Sequence, residues 1–280
     1  MRWKNSCTDI PQSSPWIDPM GKPYREITVV YPAYNEEANL QATLDRSLAA
    51  LESLFERFEL IVVDDASTDG TLALLEDYAR RHSQVRVLRN DANLGAGASM
   101  WRGMQAARYE LVINNAMDYP FDLRDLARMC PLAEEADIVV ATRSGRPGYT
   151  PYRRLLSTVN RWFLRFLFRL PLRDCNFVQL YRRRVLQSIN VQSRSAGFLP
   201  AELLLRARDK GLRTVEVEIE YHPRRAGKSV MGRPRVVAAS LLEMLRFWFK
   251  RLSSPASPRR SDPPPERQTA KRPGETSQPI

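Results

Sequence analysis

Three segments of this 280-residue chain place polar side chains directly after short apolar runs. They are Pro32-Ala-Tyr-Asn-Glu36, Asp64-Asp65 and Asn114-Asn-Ala-Met-Asp118. If the apolar runs are parallel strands, their carboxyl ends meet at one edge of the sheet, where ligands bind. A tyrosine ring such as that of Tyr34 can stack on a nucleobase, and a carboxylate can accept hydrogen bonds from a base imide or from ribose hydroxyls. The three segments together predict a nucleotide site.

A purely structural interpretation of these residues stays open. Asn35 and Ser67 are residue types that commonly cap helix N-termini, and each precedes a predicted helix. A single polar residue at a strand end is as easily explained by a cap or a turn. Three such segments at neighbouring strand ends favour ligand binding.

A second group of candidate residues is cationic and lies in the C-terminal half: Arg143, Arg224, Arg225 and Lys228. Cations suit an acceptor that carries phosphate. A phosphate monoester is largely dianionic at neutral pH, because its second pKa is about 6, so it needs no general base to become nucleophilic. A hydroxyl acceptor needs such a base, and Glu202 is the one candidate, although its helical context favours a structural role. The cations could equally be solvated surface residues.

Strands and helices alternate along the chain in the pattern of an α/β fold. Predicted strands cover residues 27–31, 60–64, 85–88, 111–113, 138–141 and 215–221, and predicted helices cover about 37–55, 67–82, 97–109 and 235–252. This alternation predicts a mixed, mainly parallel, Rossmann-like sheet with helices on both faces.

The same pattern predicts one structured domain with irregular ends. Residues 1–25 form an irregular extension, 26–252 the domain, and 253–280 a disordered, basic, Pro-rich tail. Within the domain, 26–142 is the predicted nucleotide-binding half and 143–252 the predicted acceptor half with amphipathic helices.

Composition excludes several classes of protein. The cysteines Cys7, Cys130 and Cys175 form no CxxC pair and there are two histidines, which argues against a zinc site and a disulfide framework and fits a reducing cytosol. No apolar run of about 18 residues and no signal-peptide core are present. The net charge of +11 suits a nucleic acid, an anionic membrane or a phosphorylated substrate. No interleaving of aromatic and basic residues of the kind that binds nucleic acid is found, so nucleic acid is not an expected partner.

The stretch from Arg143 to Arg173 contains eight arginines and no acidic residue. Arg154, Arg161, Arg165 and Arg169 have the spacing of one helix face, and large aromatic residues occupy the other faces. Such a helix suits the headgroup level of an anionic membrane. The alternative is a helix packed on the core with a solvated arginine stripe. On the membrane interpretation the protein is cytoplasmic and peripheral at the inner face of the membrane.

Several ordered motifs over about residues 27–229 resemble the family-2 glycosyltransferases of the GT-A fold. The matching segments are VVYPAYNEEANL, LIVVDDASTDGT, NLGAGASMWRGMQAA, ATRSG, RDCNFVQLYRRRVL, AELLLRARDKGLRTVEVEIEY and RRAGKS. The spacing is most similar to the branch of dolichyl-phosphate mannose synthase and the polyprenyl-phosphate glycosyltransferases. The resemblance implies that Pro32, Tyr34, Glu36 and Asp65 contact the nucleoside and that Asp64 supports their turn. It also implies that Gly95 and Gly97 let the backbone approach the ligand.

The metal-binding motif of that family is altered here. The family has Asp-x-Asp and then a Gln, which hold Mg²⁺ or Mn²⁺ on the diphosphate, and the corresponding positions here are Asn114, Ala116 and Asp118. Alanine offers no ligand to a hard cation, so Asp118 is the one carboxylate left and Asn114 offers a neutral oxygen. The cation is therefore held weakly, or arginines replace it, or activity has been lost.

The resemblance implies transfer of a sugar from a UDP- or GDP-sugar with inversion, and three functions stay open. The first is an enzyme that uses a polyprenyl phosphate at the membrane surface, with Asn114, Asp118, Arg143, Arg225 and Lys228 as the candidate catalytic residues. The second is a glycosyltransferase with a soluble or glycan hydroxyl acceptor. The third is a binding protein without turnover, which the altered metal motif suggests.

Overall fold

The centres of the first two strands are rich in valine and isoleucine. These β-branched residues favour an extended backbone and pack well on both faces of a buried sheet. In this computed structural model, which describes residues 24–145, 149–170, 172–222 and 234–253, residues 27, 29, 30 and 60–63 are fully buried. The strands are β1 (Tyr24–Ala33), β2 (Phe55–Asp64), β3 (Val85–Arg89), β4 (Leu111–Asn114), β5 (Ile138–Arg143), β6 (Gln179–Arg182) and β7 (Thr214–Ile219).

The seven strands form one sheet in the order β3-β2-β1-β4-β6-β5-β7. All pairings are parallel except those of β6, which runs antiparallel to β4 and β5. The predicted α/β class with a mixed, mainly parallel sheet is confirmed. Strand β6 was missed, and β1 begins at Tyr24, three residues before the predicted start at Ile27.

Helices cover both faces of the sheet. They are α1 (Glu37–Leu54), α2 (Thr71–Arg81), α3 (Ala96–Gln105), α4 (Leu126–Met129), α5 (Leu132–Glu135), α6 (Pro151–Phe168), α7 (Arg183–Ser188), α8 (Leu199–Asp209) and α9 (Pro234–Ser253). Helices α1, α2, α4 and α5 contribute to one core and α3 and α6–α9 to the other. Among the described helices, none combines the length and the hydropathy that crossing a bilayer requires.

Helix α6 ends one residue earlier than the arginine spacing predicted. Phe168 is its last residue, and Arg169 adopts a left-handed conformation with φ 51° immediately after it. The carbonyl oxygen of Phe168 accepts a hydrogen bond from Arg208 Nη1 at 2.7 Å. The assignment of Arg169 to the helix face is therefore wrong, whereas Arg154, Arg161 and Arg165 lie within the helix.

Candidate functional site

The three polar segments that follow β1, β2 and β4 meet at one edge of the sheet. Backbone hydrogen bonds continue past the strands, from Asp65 N to Ala33 O at 2.8 Å and from Asn115 N to Val30 O at 3.0 Å. The crevice at this edge is where a parallel α/β sheet binds its ligand.

The turn after β1 presents an aromatic ring to solvent. The Tyr34 side chain is 46% exposed, which leaves a ring face for stacking, and Pro32 is half-buried beside it. Glu36 donates its backbone N–H to Thr71 Oγ1 at 2.9 Å, and its Oε2 accepts a hydrogen bond from Asn39 Nδ2 at 2.8 Å. The structure thus holds the Glu36 carboxylate at the start of α1.

Asn35 and Ser67 join the first two turns to each other. Asn35 N donates to Ser67 Oγ at 3.0 Å, and Asn35 Oδ1 accepts from Thr68 N at 2.8 Å. Asn35 and Ala66 both have positive φ, 54° and 58°. The interpretation of Asn35 and Ser67 as N-caps is wrong, because the N-cap positions of α1 and α2 are Glu36 and Gly70.

Asp65 holds the turn that precedes α3. Its Oδ1 accepts hydrogen bonds from Asn90 Nδ2 at 2.7 Å and from Leu94 N at 2.9 Å, and its Oδ2 accepts one from Gly95 N at 2.8 Å. A carboxylate has about four acceptor sites, so these three donors leave one site, on Oδ2. Asp65 is therefore equipped to support the turn and still accept one hydrogen bond from a ligand.

Asp64 carries an oxygen without a partner. The residue is fully buried, its Oδ1 accepts a 3.3 Å hydrogen bond from Ser67 N, and Oδ2 has no hydrogen-bond partner among the described residues. A buried acceptor left unpaired costs about 1–3 kcal/mol. This is the kind of strain that functional sites retain.

The two glycines of the next turn have different roles. Gly95 has φ 89°, a conformation that disfavours side chains, and it is the N-cap of α3. A Cβ at Gly97 would lie 2.6 Å from Ala196 N and would also meet the Arg194 carbonyl. Gly97 therefore lets the segment 194–196 of the chain itself approach, whereas the sequence pattern had suggested close approach of the ligand.

The altered metal motif follows β4. Asn114, Ala116 and Asp118 are half-buried, and Asn115 is buried with its Nδ2 donating to Phe121 O at 2.9 Å. Across the described part of the chain, no three His, Cys, Asp or Glu side chains come together as a metal site. The donor set, one carboxylate and one amide, therefore does not fit a metal site built from the protein alone.

Arg143, predicted to contact the acceptor, is buried in a network of its own. Its Nε and Nη2 donate to the two Asp174 oxygens at 2.6 and 2.8 Å, and it also donates to the Tyr149 hydroxyl. Burial disfavours the charged form, but the hydrogen bonds to Asp174 and the attraction of Asp174, Tyr149 and Tyr221 together outweigh it, so the pKa of Arg143 lies above its ordinary value. The rings of Phe177 and Tyr221 lie 5.2 and 5.8 Å from the guanidinium carbon. This geometry makes the Arg143 guanidinium part of a buried ion pair, and its contact with the acceptor stays a prediction.

Glu202 has the structural role that its helical context favoured. The residue is fully buried, its Oε1 accepts from Gln192 N and Arg206 Nε, and its Oε2 accepts from Ser193 N. Both oxygens are occupied, so Glu202 is unsuited to be a general base. The predicted catalytic residues Arg225 and Lys228, and Arg224 beside them, lie outside the described residues.

Sequence reasoning missed Asn90 and Glu243. Asn90 is buried directly after β3, and its Nδ2 bridges Asp65 Oδ1 and Ser99 Oγ at 2.7 and 2.8 Å. Its position at a strand end was a signal that could have found it. Glu243, on α9, accepts hydrogen bonds from the backbone of Arg194 and Ser195, and no sequence pattern points to that contact.

The outer surface of α6 is apolar. Tyr152, Leu155, Val159, Trp162 and Phe166 follow each other at spacings of three and four and are each more than a third exposed. Phe166 and Leu155 are the most exposed, at 69% and 61%, and the Phe166 ring stacks on that of Trp162 with centroids 5.1 Å apart. The opposite side, with Leu164 and Phe168, packs into the core. Part of the aromatic content of α6 therefore serves the core, and the rest faces solvent.

A mainly parallel seven-stranded sheet with helices on both faces is the α/β architecture of the GT-A glycosyltransferase fold. A sequence profile described as "Glycosyl transferase family 2" matches residues 28–189. The chain therefore belongs to glycosyl transferase family 2, and it is a glycosyltransferase. The resemblance inferred from the sequence motifs is confirmed.

Three similar proteins illustrate the relationship. An uncharacterized glycosyltransferase of Mycobacterium tuberculosis is 35% identical over 226 residues, which are 79% of this chain and 96% of that protein. The dodecaprenyl-phosphate galacturonate synthase of Rhizobium johnstonii is 28% identical over 80% of this chain and 67% of its own length. A crystal structure of glucosyl-3-phosphoglycerate synthase from Mycobacterium tuberculosis with Mn²⁺, UDP and phosphoglyceric acid gives a TM-score of 0.60 at 23% identity, covering 80% of this chain and 78% of that one. This last likeness shows the fold.

Proposed function

We propose that this glycosyltransferase moves a sugar from a UDP- or GDP-sugar to a polyprenyl phosphate, with inversion, at the surface of an anionic membrane. The nucleotide lies in the crevice between Tyr34 and Asp65. The acceptor approaches from the half of the chain that carries α6 and α9. Relatives named as polyprenyl-phosphate sugar transferases support this acceptor class.

The observation that carries the proposal is the exposed apolar stripe on α6. Burying a large apolar side chain stabilises by about 1.5–3 kcal/mol, so a stripe of five on the surface calls for an apolar partner. Arg154 and Arg165, both exposed, lie on the same helix, which has no acidic residue. A second copy of the chain would place the same cations against each other, whereas anionic headgroups attract them. The stripe and its arginines therefore fit a membrane surface, where the apolar side chains contact the acyl chains and the arginines contact the anionic headgroups.

Helix α9 extends the same surface chemistry. Leu242, Phe249 and Leu252 are 53%, 59% and 64% exposed, while Met244 and Phe247 on its other side are buried. Arg246 and Lys250 are exposed on this helix. Two helices with outward apolar residues and exposed cations support peripheral binding at the cytoplasmic face of a membrane.

The chemistry of a phosphate acceptor matches the described residues. A hydroxyl acceptor would need a general base, and the Glu202 carboxylate is occupied by three hydrogen bonds. A phosphate oxygen of the acceptor attacks the anomeric carbon, that bond forms as the bond to the nucleoside diphosphate breaks, and the diphosphate leaves with the electron pair. No proton moves in this step. The protein contributes alignment and neutralisation of charge.

No step of this transfer is assigned to a divalent cation. The similar crystal structure that contains Mn²⁺ shows the fold alone. In this chain Ala116 offers no ligand at a position where the family has an aspartate. If Mg²⁺ or Mn²⁺ binds, Asp118 would hold it, more weakly than an Asp-x-Asp motif, and the ion would neutralise charge on the leaving diphosphate. Arg225 and Lys228 stay sequence-based proposals for the cations that bind phosphate.

The direct test is transfer of radiolabelled sugar from a panel of UDP- and GDP-sugars to a short polyprenyl phosphate in mixed vesicles. Transfer to the lipid phosphate, with little transfer to hydroxyl acceptors, is expected. The variants Arg225→Ala and Lys228→Ala should reduce the rate if these residues bind phosphate. Transfer to hydroxyl acceptors alone would overturn the polyprenyl-phosphate assignment. Nucleotide binding without any transfer would favour the second candidate, a binding protein without turnover, which Ala116 suggests.

A further inference from the structure

The backbone segment 192–196 is held by two carboxylates from different helices. Its four consecutive N–H groups, from Gln192 to Ser195, all donate to glutamate side chains. Glu202 on α8 accepts from Gln192 N and Ser193 N at 3.0 and 2.8 Å. Glu243 on α9 accepts from Arg194 N and Ser195 N at 3.3 and 3.1 Å. The segment has no helix or strand of its own, so these side chains set its position.

The other side of this segment packs against the donor site. The segment contacts Gly97, where any side chain would collide with Ala196 N and the Arg194 carbonyl. Gly97 follows directly on the turn whose Leu94 and Gly95 N–H groups bind Asp65. A continuous path of contacts therefore runs from Glu243 through segment 192–196 to Asp65.

Helix α9 also faces outward. Lys250 Nζ donates to Gln192 Oε1 at 3.1 Å, so the helix contacts the segment at two points about two turns apart. Another side of the helix presents Leu242, Phe249 and Leu252, the residues assigned above to the lipid surface. One helix thus lies between the proposed membrane surface and the segment that packs on the donor site.

We propose that Glu243 is a positioning residue for donor binding, and that through it the affinity for the nucleotide depends on whether α9 is bound to a lipid surface. This inference rests on the donor and the membrane surface of the proposed function. A lipid surface restrains α9, and the Glu243 carboxylate then holds the backbone of Arg194 and Ser195 in place. The segment in turn packs against Gly97 and so restrains the turn at Gly95 and Gly97. Glu202, buried and independent of α9, holds the other half of the segment in either case.

The experiment measures binding of UDP and of GDP by calorimetry, with and without vesicles of phosphatidylcholine and phosphatidylglycerol. In the native protein, saturating vesicles should tighten binding of the preferred nucleotide by about threefold or more. Glu243→Gln keeps the volume of the side chain but has one acceptor oxygen in place of two. It should weaken nucleotide binding by about three- to tenfold, which is up to about 1.4 kcal/mol, and should abolish the effect of vesicles.

A matched control is Glu135→Gln, on α5. It removes the same charge from an exposed side chain that pairs with Arg213. It should leave both nucleotide affinity and the vesicle effect unchanged. Because Glu243→Gln makes the protein more cationic, its own binding to vesicles should be equal to that of the control variant. Hydrogen exchange over residues 192–196 gives a second readout, with faster exchange expected in Glu243→Gln and slower exchange in the native protein on vesicles.

The outcomes separate this inference from the function on which it rests. If the native protein binds a nucleotide and Glu243→Gln shows the same affinity and the same vesicle effect, the positioning role is wrong while the proposed function stands. If native binding is insensitive to vesicles but Glu243→Gln weakens it, the link to the lipid surface is overturned. If the native protein binds neither UDP nor GDP, the proposed donor fails and the inference falls with it.

Discussion

Replacing Asp65 with asparagine is the sharpest test of the donor crevice. The carboxylate is 2% exposed and accepts hydrogen bonds from Asn90 Nδ2, Leu94 N and Gly95 N. The amide of Asp65→Asn offers one acceptor oxygen. If that oxygen keeps the bonds from Asn90 and Leu94, the new NH₂ group faces the N–H of Gly95, and both donors are left unpaired.

The magnitude follows from these three contacts. Losing one hydrogen bond to a charged acceptor costs about 1.5–3 kcal/mol. The two remaining bonds change from charge-assisted to neutral, which adds about 1.5–3 kcal/mol in total because neutral bonds are roughly half as strong. We expect the free energy of unfolding to fall by about 3–6 kcal/mol, a large part of the 5–15 kcal/mol typical of a domain. Nucleotide affinity should fall by about tenfold or more, because both the turn and one acceptor for the base are lost.

The assays are urea unfolding followed by circular dichroism, and calorimetric titration with UDP and GDP below the unfolding midpoint. Asp64→Asn is the matched comparison, since its carboxylate accepts one bond, from Ser67 N, that an amide oxygen can retain. It should destabilise less than Asp65→Asn. Unchanged stability in Asp65→Asn would refute the hydrogen-bond assignment, and unchanged nucleotide affinity would remove Asp65 from the binding site.

Three further predictions concern the metal, the membrane and the ion pair. Asn114→Asp combined with Ala116→Asp should tighten Mn²⁺ binding about tenfold or more, because it restores two charged ligands. Calorimetry with nucleotide present measures this, and micromolar Mn²⁺ affinity in the native protein would contradict the weak site. Trp162→Ser with Phe166→Ser should reduce sedimentation with anionic vesicles about tenfold or more, since two large apolar groups are lost, and equal native binding to neutral and anionic vesicles would exclude a role for the arginines. Arg143→Lys should lower unfolding free energy by about 2 kcal/mol or more, because a lysine cannot make the bidentate bond to Asp174, and a variant as stable as the native protein in urea would refute the structural importance of this ion pair.

The sequence was most informative where periodicity and burial agree. The central parts of strands β1 and β2, residues 27–31 and 60–63, are almost entirely apolar and buried on both faces. Their register places Pro32 beside Val63 in a parallel pair. Strand β6 could not be found in this way. It has four residues, Gln179–Arg182, and its antiparallel place between β4 and β5 depends on partners more than 35 residues away.

The candidate site, like the sheet, contains residues that neighbouring sequence could predict and residues whose surroundings depend on distant parts of the chain. Polar residues at strand ends are a local signal, and the structure brings Tyr34, Asp64 and Asp65 to one edge. The environment of Arg143 is not local, since its partner Asp174 lies 31 residues further along the chain. Residue type alone made Arg143 a cation for phosphate, whereas burial beside a carboxylate makes it a structural ion pair.

The pairing of Arg143 with Asp174 connects the metal proposal with the acceptor proposal, because a guanidinium held by a carboxylate has less charge to offer a phosphate. The leaving nucleoside diphosphate gains negative charge during transfer, and this charge needs a cation nearby. If Asp118 held a divalent ion, that ion would supply the charge, and Arg225 and Lys228 would be left for the acceptor phosphate. If transfer proceeds fully in the presence of a chelator, the same two residues must instead serve the diphosphate. The kinetics of Arg225→Ala distinguish the two cases, because a residue on the acceptor raises the KM for the polyprenyl phosphate, whereas a residue on the leaving group lowers kcat at saturating acceptor.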